Sequence, residues 1–159
     1  MVPTETCRTL YRRLDRKLSR TLQLATTLCL HRAQPVPVAL EVFFCALFVR
    51  YRRGVLKFFE DEAALARLVV KHCPEGARKG PRPHLDGGGD AVFLAAEPEL
   101  LLLLVKSAGL AGAMRDRSVS LRHIAGALAL DAELAARLGR EGISLAGRVL
   151  GLPSGPTGP

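Results

Sequence analysis

Tryptophan is absent from this chain, and tyrosine and phenylalanine number only two and six. Aromatic side chains therefore do not interleave with the basic ones, which removes the stacking surface that single-stranded nucleic-acid readers use. Alternation of β-branched and polar residues is also nearly missing, so half-buried strands have little to be built from. None of the cysteines (Cys7, Cys29, Cys45, Cys73) forms a CxxC pair, and His31, His72, His84 and His123 show no metal-ligand spacing with them. No metal or cofactor is expected. A Gly-x-x-x-x-Gly-Lys-Ser/Thr phosphate loop is lacking, which excludes an ATPase motor within these residues. Long apolar runs are lacking too. Val36–Val49 contains Glu41, and Leu100–Val105 is bracketed by Glu97, Glu99 and Lys106; both fall short of the ~20 residues that a membrane-spanning helix needs. No secretory signal opens the chain, and Cys29 and Cys45 fall within apolar helical patterns that suit buried thiols. A cytoplasmic location is the expectation.

What is present favours helix. Leucine and alanine supply most of the 48% apolar content in 159 residues, enough for one domain with its own core. The formal net charge is +8. It is dispersed over Arg8, Arg12, Arg13, Arg16, Lys17 and Arg20, then Arg50, Arg52, Arg53 and Lys57. Such scatter reads as a solvated basic face before it reads as a nucleic-acid site.

Breaks in the pattern divide the chain. Pro74–Asp90 is too rich in Gly, Pro and charge to pack, and Leu152–Pro159 reads as a disordered tail or the start of a linker. Residues 1–151 form a single domain on this reading, with repeat one near 14–73, a linker near 74–90 and repeat two near 91–151. Helices are predicted near 5–13, 15–32, 38–50, 53–60, 62–72, 98–114, 120–130, 131–140 and 144–150. Asp15 and Ser120 are N-cap candidates, Pro98 suits a first turn, and Gly142 and Gly151 suit helix ends.

The two halves repeat each other. Leu18, Leu22, Ala25, Leu28 and Cys29 form a helical stripe, and adding 83 gives Leu101, Val105, Ala108, Ala111 and Gly112. Across a connection two residues shorter, an offset of 81 carries Val38, Leu40, Phe43, Ala46 and Leu47 onto Val119, Leu121, Ile124, Ala127 and Leu128. Each copy is a long amphipathic helix, a turn and a shorter apolar helix ending in Ala-Leu. One copy leaves an apolar face open, which packing against the other closes.

This order of motifs, occurring twice from about residue 14 to 150, resembles the double Clp N-terminal repeat of Clp-type AAA+ chaperones. The stretch 14–30 leading into Val-Ala-Leu-Glu-Val-Phe-Phe-Cys-Ala-Leu at 38–47 stands for one repeat. Glu-Pro-Glu-Leu at 97–100, Val-Ser-Leu-Arg-His-Ile-Ala-Gly-Ala-Leu at 119–128 and Gly-Ile-Ser-Leu at 142–145 stand for the other. The Leu-Cys-x-x-Arg run at 28–32 is similar to the variant in the type VI secretion sheath-recycling ATPase. The resemblance implies an all-α fold, a compact orthogonal helical domain of two pseudo-twofold-related repeats. It also implies a non-catalytic substrate- or adaptor-binding module. Its partner is a protein substrate, an adaptor or a sheath-protein peptide, and a Clp-type ATPase stands in cis or in trans. Of the family's Glu-His pair that opens the shorter helix, the first repeat keeps Glu41 and the second His123, preceded by Arg122. Some relatives hold arginine phosphate between two repeat glutamates; Arg122 repels a guanidinium, so a symmetric reader of that kind is not expected.

The candidate partner-binding residues are Asp15, Glu41, Phe44, Phe48 and Arg122. Glu41 and Arg122 are expected at exposed helix starts bordering an electrostatically asymmetric groove. Phe43, Phe44 and Phe48 are expected not all to face one core, because 44 and 48 lie on one side of a helix and 43 leans away, while for any one of them a place in the core against neighbouring helices is the safer expectation. His123 is read as a core histidine, with no carboxylate or nucleophile spaced to work with it. Cys45 lacks a base, and Gly87-Gly88-Gly89 reads as a hinge. No enzyme is expected. A second functional class, a basic helical regulatory protein that binds nucleic acid, stays open at this point.

Overall fold

The structure is a computed structural model that describes residues 4–30, 37–72 and 95–146. The expected linker at 74–90, its glycine hinge and the tail at 152–159 lie outside the described residues. Helices α1 (Glu5–Arg13), α2 (Arg16–Leu30) and α3 (Leu40–Leu56) lead to strand β1 (Phe59–Glu60) and helix α4 (Glu62–His72). Helices α5 (Pro98–Ala113), α6 (Leu121–Leu130) and α7 (Ala132–Gly139) lead to strand β2 (Ser144–Leu145). Among the described residues the fold is all-α apart from one two-stranded sheet.

Local chemistry sets the helix starts. Side-chain oxygens accept first-turn backbone N–H groups at Thr4 (from Cys7, 3.2 Å), Asp15 (from Leu18, 2.8 Å), Asp61 (from Ala64, 3.0 Å) and Asp131 (from Leu134, 3.0 Å). Each such cap contributes about 1 kcal/mol. Pro98 opens α5, where its missing N–H costs nothing. The helices expected at 38–50 and 53–60 are one element, interrupted where Tyr51 leaves helical geometry (φ −135°, ψ 47°).

The end of the helix expected at 53–60 and the start of the one expected at 144–150 are corrected, residues 147–150 lying outside the described residues. Residues 59–60 and 144–145 are strands, paired antiparallel with Phe59 opposite Leu145 and Glu60 opposite Ser144. Tertiary context overrides propensity here. Gly142, at φ +79°, turns the chain after α7, and Phe59 is drawn into the core against Phe44, ring centroids 5.3 Å apart.

The two repeats are visible in the backbone. Val38 donates to Ala95 O (2.8 Å) and accepts from Glu97 N (2.9 Å). Its counterpart Val119 donates to Arg13 O (2.8 Å) and accepts from Asp15 N (2.8 Å). Each repeat thus lays one extended residue along the segment that enters the other repeat's long helix. The β1–β2 pair obeys the same exchange, since moving 59 to 144 and 60 to 145 reproduces its register. These reciprocal contacts are what a pseudo-twofold axis requires.

They also correct the alignment of the long helices. Residue 14 matches 96, an offset of 82. At that offset buried Leu18, Thr21, Leu22, Ala25, Thr26 and Cys29 fall on buried Leu100, Leu103, Leu104, Ser107, Ala108 and Ala111. The expected offset of 83 puts Leu22 on Val105 and Cys29 on Gly112, both exposed. One residue rotates a helix by 100°, and six consecutive apolar residues at 100–105 gave the sequence pattern no phase to fix.

The core centres on α3, whose residues from Leu40 to Phe48 are all buried. The expectation that Phe43, Phe44 and Phe48 do not all face one core is overturned. Helix α3 is covered on every side, so Phe43 and Phe44 pack edge-to-face (5.8 Å, 84°) on different faces of the same interior. Cys7, Cys29 and Cys45 are buried thiols. Among the described residues no helix is long and apolar enough to cross a membrane, and no His, Cys, Asp or Glu cluster has the makings of a metal site.

Candidate functional site

Asp15, Glu41 and Arg122 lie at the starts of α2, α3 and α6, with Phe44 and Phe48 further along α3, but the fold engages most of them itself. Asp15 caps α2, and its own N–H is held by Val119. Phe44 is fully buried between Phe43 and Phe59. Phe48 is buried beneath the Arg52 guanidinium, 5.4 Å from its ring centroid. Glu41, expected at an exposed helix start, is only 6% exposed. The reason is Arg137 on α7, which reaches back to form an ion pair with Glu41 and donates its Nε to Glu99 (2.7 Å). Burial works against the Arg137 charge, but the Glu99 hydrogen bond and the carboxylates of Glu41, Glu99 and Glu141 outweigh it and hold its pKa above the ordinary value. Arg122 is exposed and donates to Asp116 (2.8 Å). Glu41, the acidic end of the expected groove, is therefore already engaged by Arg137.

His123 requires a second correction, because the structure brings both a carboxylate and a hydroxyl to it. Its Nδ1 accepts the Ser120 N–H (2.9 Å) and lies 3.1 Å from Ser120 Oγ. That assigns the proton to Nε2, which donates to Asp116 (2.7 Å). The order Ser-His-Asp resembles a nucleophilic triad, yet the Nδ1 lone pair is already taken by a backbone N–H. It is not free to remove the hydroxyl proton. The ring is 2% exposed, and Ser120 Oγ in turn accepts the His123 N–H. This is a capping box with histidine in place of the usual glutamate. Asp116 is held below the ordinary carboxylate range, first by the His123 hydrogen bond and then by Arg122.

Among the described residues a free apolar surface lies elsewhere, on α5. Corrected by one residue, the buried face of that helix leaves Pro98, Leu102, Val105, Gly109 and Gly112 in a stripe at helical spacing that faces solvent. Leu102 and Val105 are 43% and 44% exposed. Leu130, at the end of α6, is 59% exposed. It adjoins Asp131, whose ion pair with Lys106 ties that end of α6 to α5. The charges beside the stripe are internally neutralised, Glu99 by Arg137 and Lys106 by Asp131. The equivalent positions of α2 are Arg16, Arg20, Gln23, Thr27 and Leu30, polar or charged except at the last. The backbone is two-fold and this surface is not. Sequence reasoning missed the stripe by assigning Leu101 and Val105 to the core. The available signal was α5 itself, which is apolar all round where its counterpart is amphipathic.

No family model matches the chain, and no curated protein does. Among solved structures it is similar to a ClpV N-domain in complex with a VipB peptide, at 18% identity over 84% of this chain and 78% of that one, TM-score 0.55. It is likewise similar to the N-domain of ClpV from Vibrio cholerae, at 20% identity over 96% of this chain and 81% of that one, TM-score 0.54. The repeat exchange, the helix order and these superpositions agree: the chain has the fold of a Clp N-terminal domain of the ClpV kind.

Proposed function

We propose that this chain is a non-catalytic binding module that captures an amphipathic peptide or partner helix on the outward face of α5. The observation that carries the reading is the solvent-facing stripe of Leu102, Val105, Gly109 and Gly112, which places two half-exposed apolar side chains and two glycines on one helix face. Leucine and valine offer contact area, the glycines let a second backbone approach closely, and the adjacent charges are already paired. A helix with an apolar face fits this surface, as in helix-in-groove recognition. A similar domain takes a VipB peptide, and a peptide of that kind is the proposed ligand here. The setting is cytoplasmic, with a Clp-type ATPase acting in cis or in trans. The exposed Arg122 is retained as a rim contact. Asp15, Glu41, Phe44 and Phe48 are assigned to holding the domain together.

The test is fluorescence anisotropy of a labelled VipB peptide with wild type and with Leu102→Gln/Val105→Gln. Completing the burial of two half-exposed apolar side chains is worth about 2 kcal/mol in all. The double variant therefore binds at least tenfold more weakly, with an unchanged melting temperature. Equal affinity for both proteins rules out this surface.

A further inference from the structure

A cleft of about 450 Å³ lies on a different part of the domain, between α4 and the turn that follows α7. Its apolar floor is Ala64 and Leu68, and its charged lining is Arg67, Lys71, Arg140 and Glu141. Only one cation is balanced there, Lys71 Nζ standing 3.7 Å from Glu141 Oε1. Arg67 and Arg140 pair with no carboxylate among the described residues. Lys71 and Arg140 sit at helix C-termini, where the helix dipole already favours a cation. Arg67 lies in the body of α4 and has no such reason to be there.

Glycine shapes the opening. A Cβ on Gly139, one of the lining residues, meets nothing within 4 Å and faces open space. A Cβ on Gly142 stands 3.2 Å from Ala64 Cβ and 3.6 Å from Arg67 Nη2, so the turn closes tightly at the back with the Arg67 guanidinium beside it. The backbone N–H groups of Arg140, Glu141, Gly142 and Ile143 are all spent on α7 carbonyls or on Gly139. Any recognition in the cleft thus comes from side chains, and two unpaired guanidinium forks match an oxyanion.

We propose that the cleft between α4 and the Gly139–Gly142 turn binds an oxyanionic group, a carboxylate or a phosphate, through Arg67 and Arg140 with Lys71 in support. The site is separate from the α5 stripe and does not depend on the function proposed for it. The experiment is an amide-shift titration of the full 159-residue chain with inorganic phosphate and, separately, with glutarate, at constant ionic strength. Expected are saturable shifts confined to residues 64–71 and 139–142 with at least one of the two anions, and which anion saturates identifies the source. Arg67→Gln/Arg140→Gln abolishes them. Arg12→Gln, which removes a charge elsewhere, leaves them intact. Linear shifts spread over the basic surface, or shifts that persist in Arg67→Gln/Arg140→Gln, overturn the proposal.

Discussion

Replacing Arg137 with alanine strands Glu41. In the wild type that carboxylate, with its side chain 8% exposed, faces a guanidinium that is itself 28% exposed and shared with Glu99. Removing one partner of a buried pair costs about 3–5 kcal/mol, because a charge is left without compensation in a poorly solvated place. Arg137 is partly open to water, so some solvent enters in its stead, and the expected loss is about 2–3 kcal/mol. Urea unfolding followed by circular dichroism measures it, as a lower midpoint at constant slope. Arg137→Ala/Glu41→Gln recovers most of the loss, since an amide needs no counter-charge. Glu99→Gln, at an exposed position, costs less than about 0.5–1 kcal/mol. A change below about 0.5 kcal/mol in Arg137→Ala refutes the view that Glu41 is structurally engaged, and reopens the start of α3 as a partner site.

Other predictions follow from the same geometry. Phe44→Ala removes a fully buried ring that meets two others edge to face, and unfolding loses about 3–5 kcal/mol. His123→Gln keeps a side chain able to complete the capping box and costs less than His123→Ala, which loses the cap as well as the Asp116 contact; thermal melts of the two variants rank them. Asp116 and Asp131 both have lowered pKa values, owed first to the hydrogen bonds from His123 and Lys106 respectively. Their contribution is present above the unfolded carboxylate pKa of ~3.9 and is lost as pH falls through the lower folded values. Melting temperature measured from pH 5 down to pH 2 therefore falls, and Asp116→Asn/Asp131→Asn shows a shallower decline.

Much of the fold was legible in sequence because its signals are local. Asp15, Pro98 and Ser120 mark helix starts through their own chemistry, and α4 falls where its apolar spacing put it. The repeat was legible as well, since Val38–Leu47 and Val119–Leu128 keep their phase. The register of α5 was not, because a helix of leucine on every side has no amphipathic direction until its neighbours supply one. Strands β1 and β2 were hidden for a related reason: two residues each, they exist only through pairing with one another across the pseudo-axis. The candidate site suffered most from what sequence cannot show. Arg137 lies 96 positions after Glu41, and nothing short of the tertiary structure joins them. Asp116 and Ser120 are close to His123 in sequence, but only the loop after α5, with Arg115 at φ +59°, turns the aspartate toward the ring.

The most direct test of the central claim is an amide-shift map of the chain during titration with an amphipathic helical peptide, the VipB peptide first. The predicted result is saturable shifts centred on Leu102, Val105, Gly109 and Gly112 and extending to Leu130, with Arg20 and Gln23 on the equivalent face of α2 unmoved. Shifts centred instead on the start of α3, or placed symmetrically on α2 and α5, contradict it.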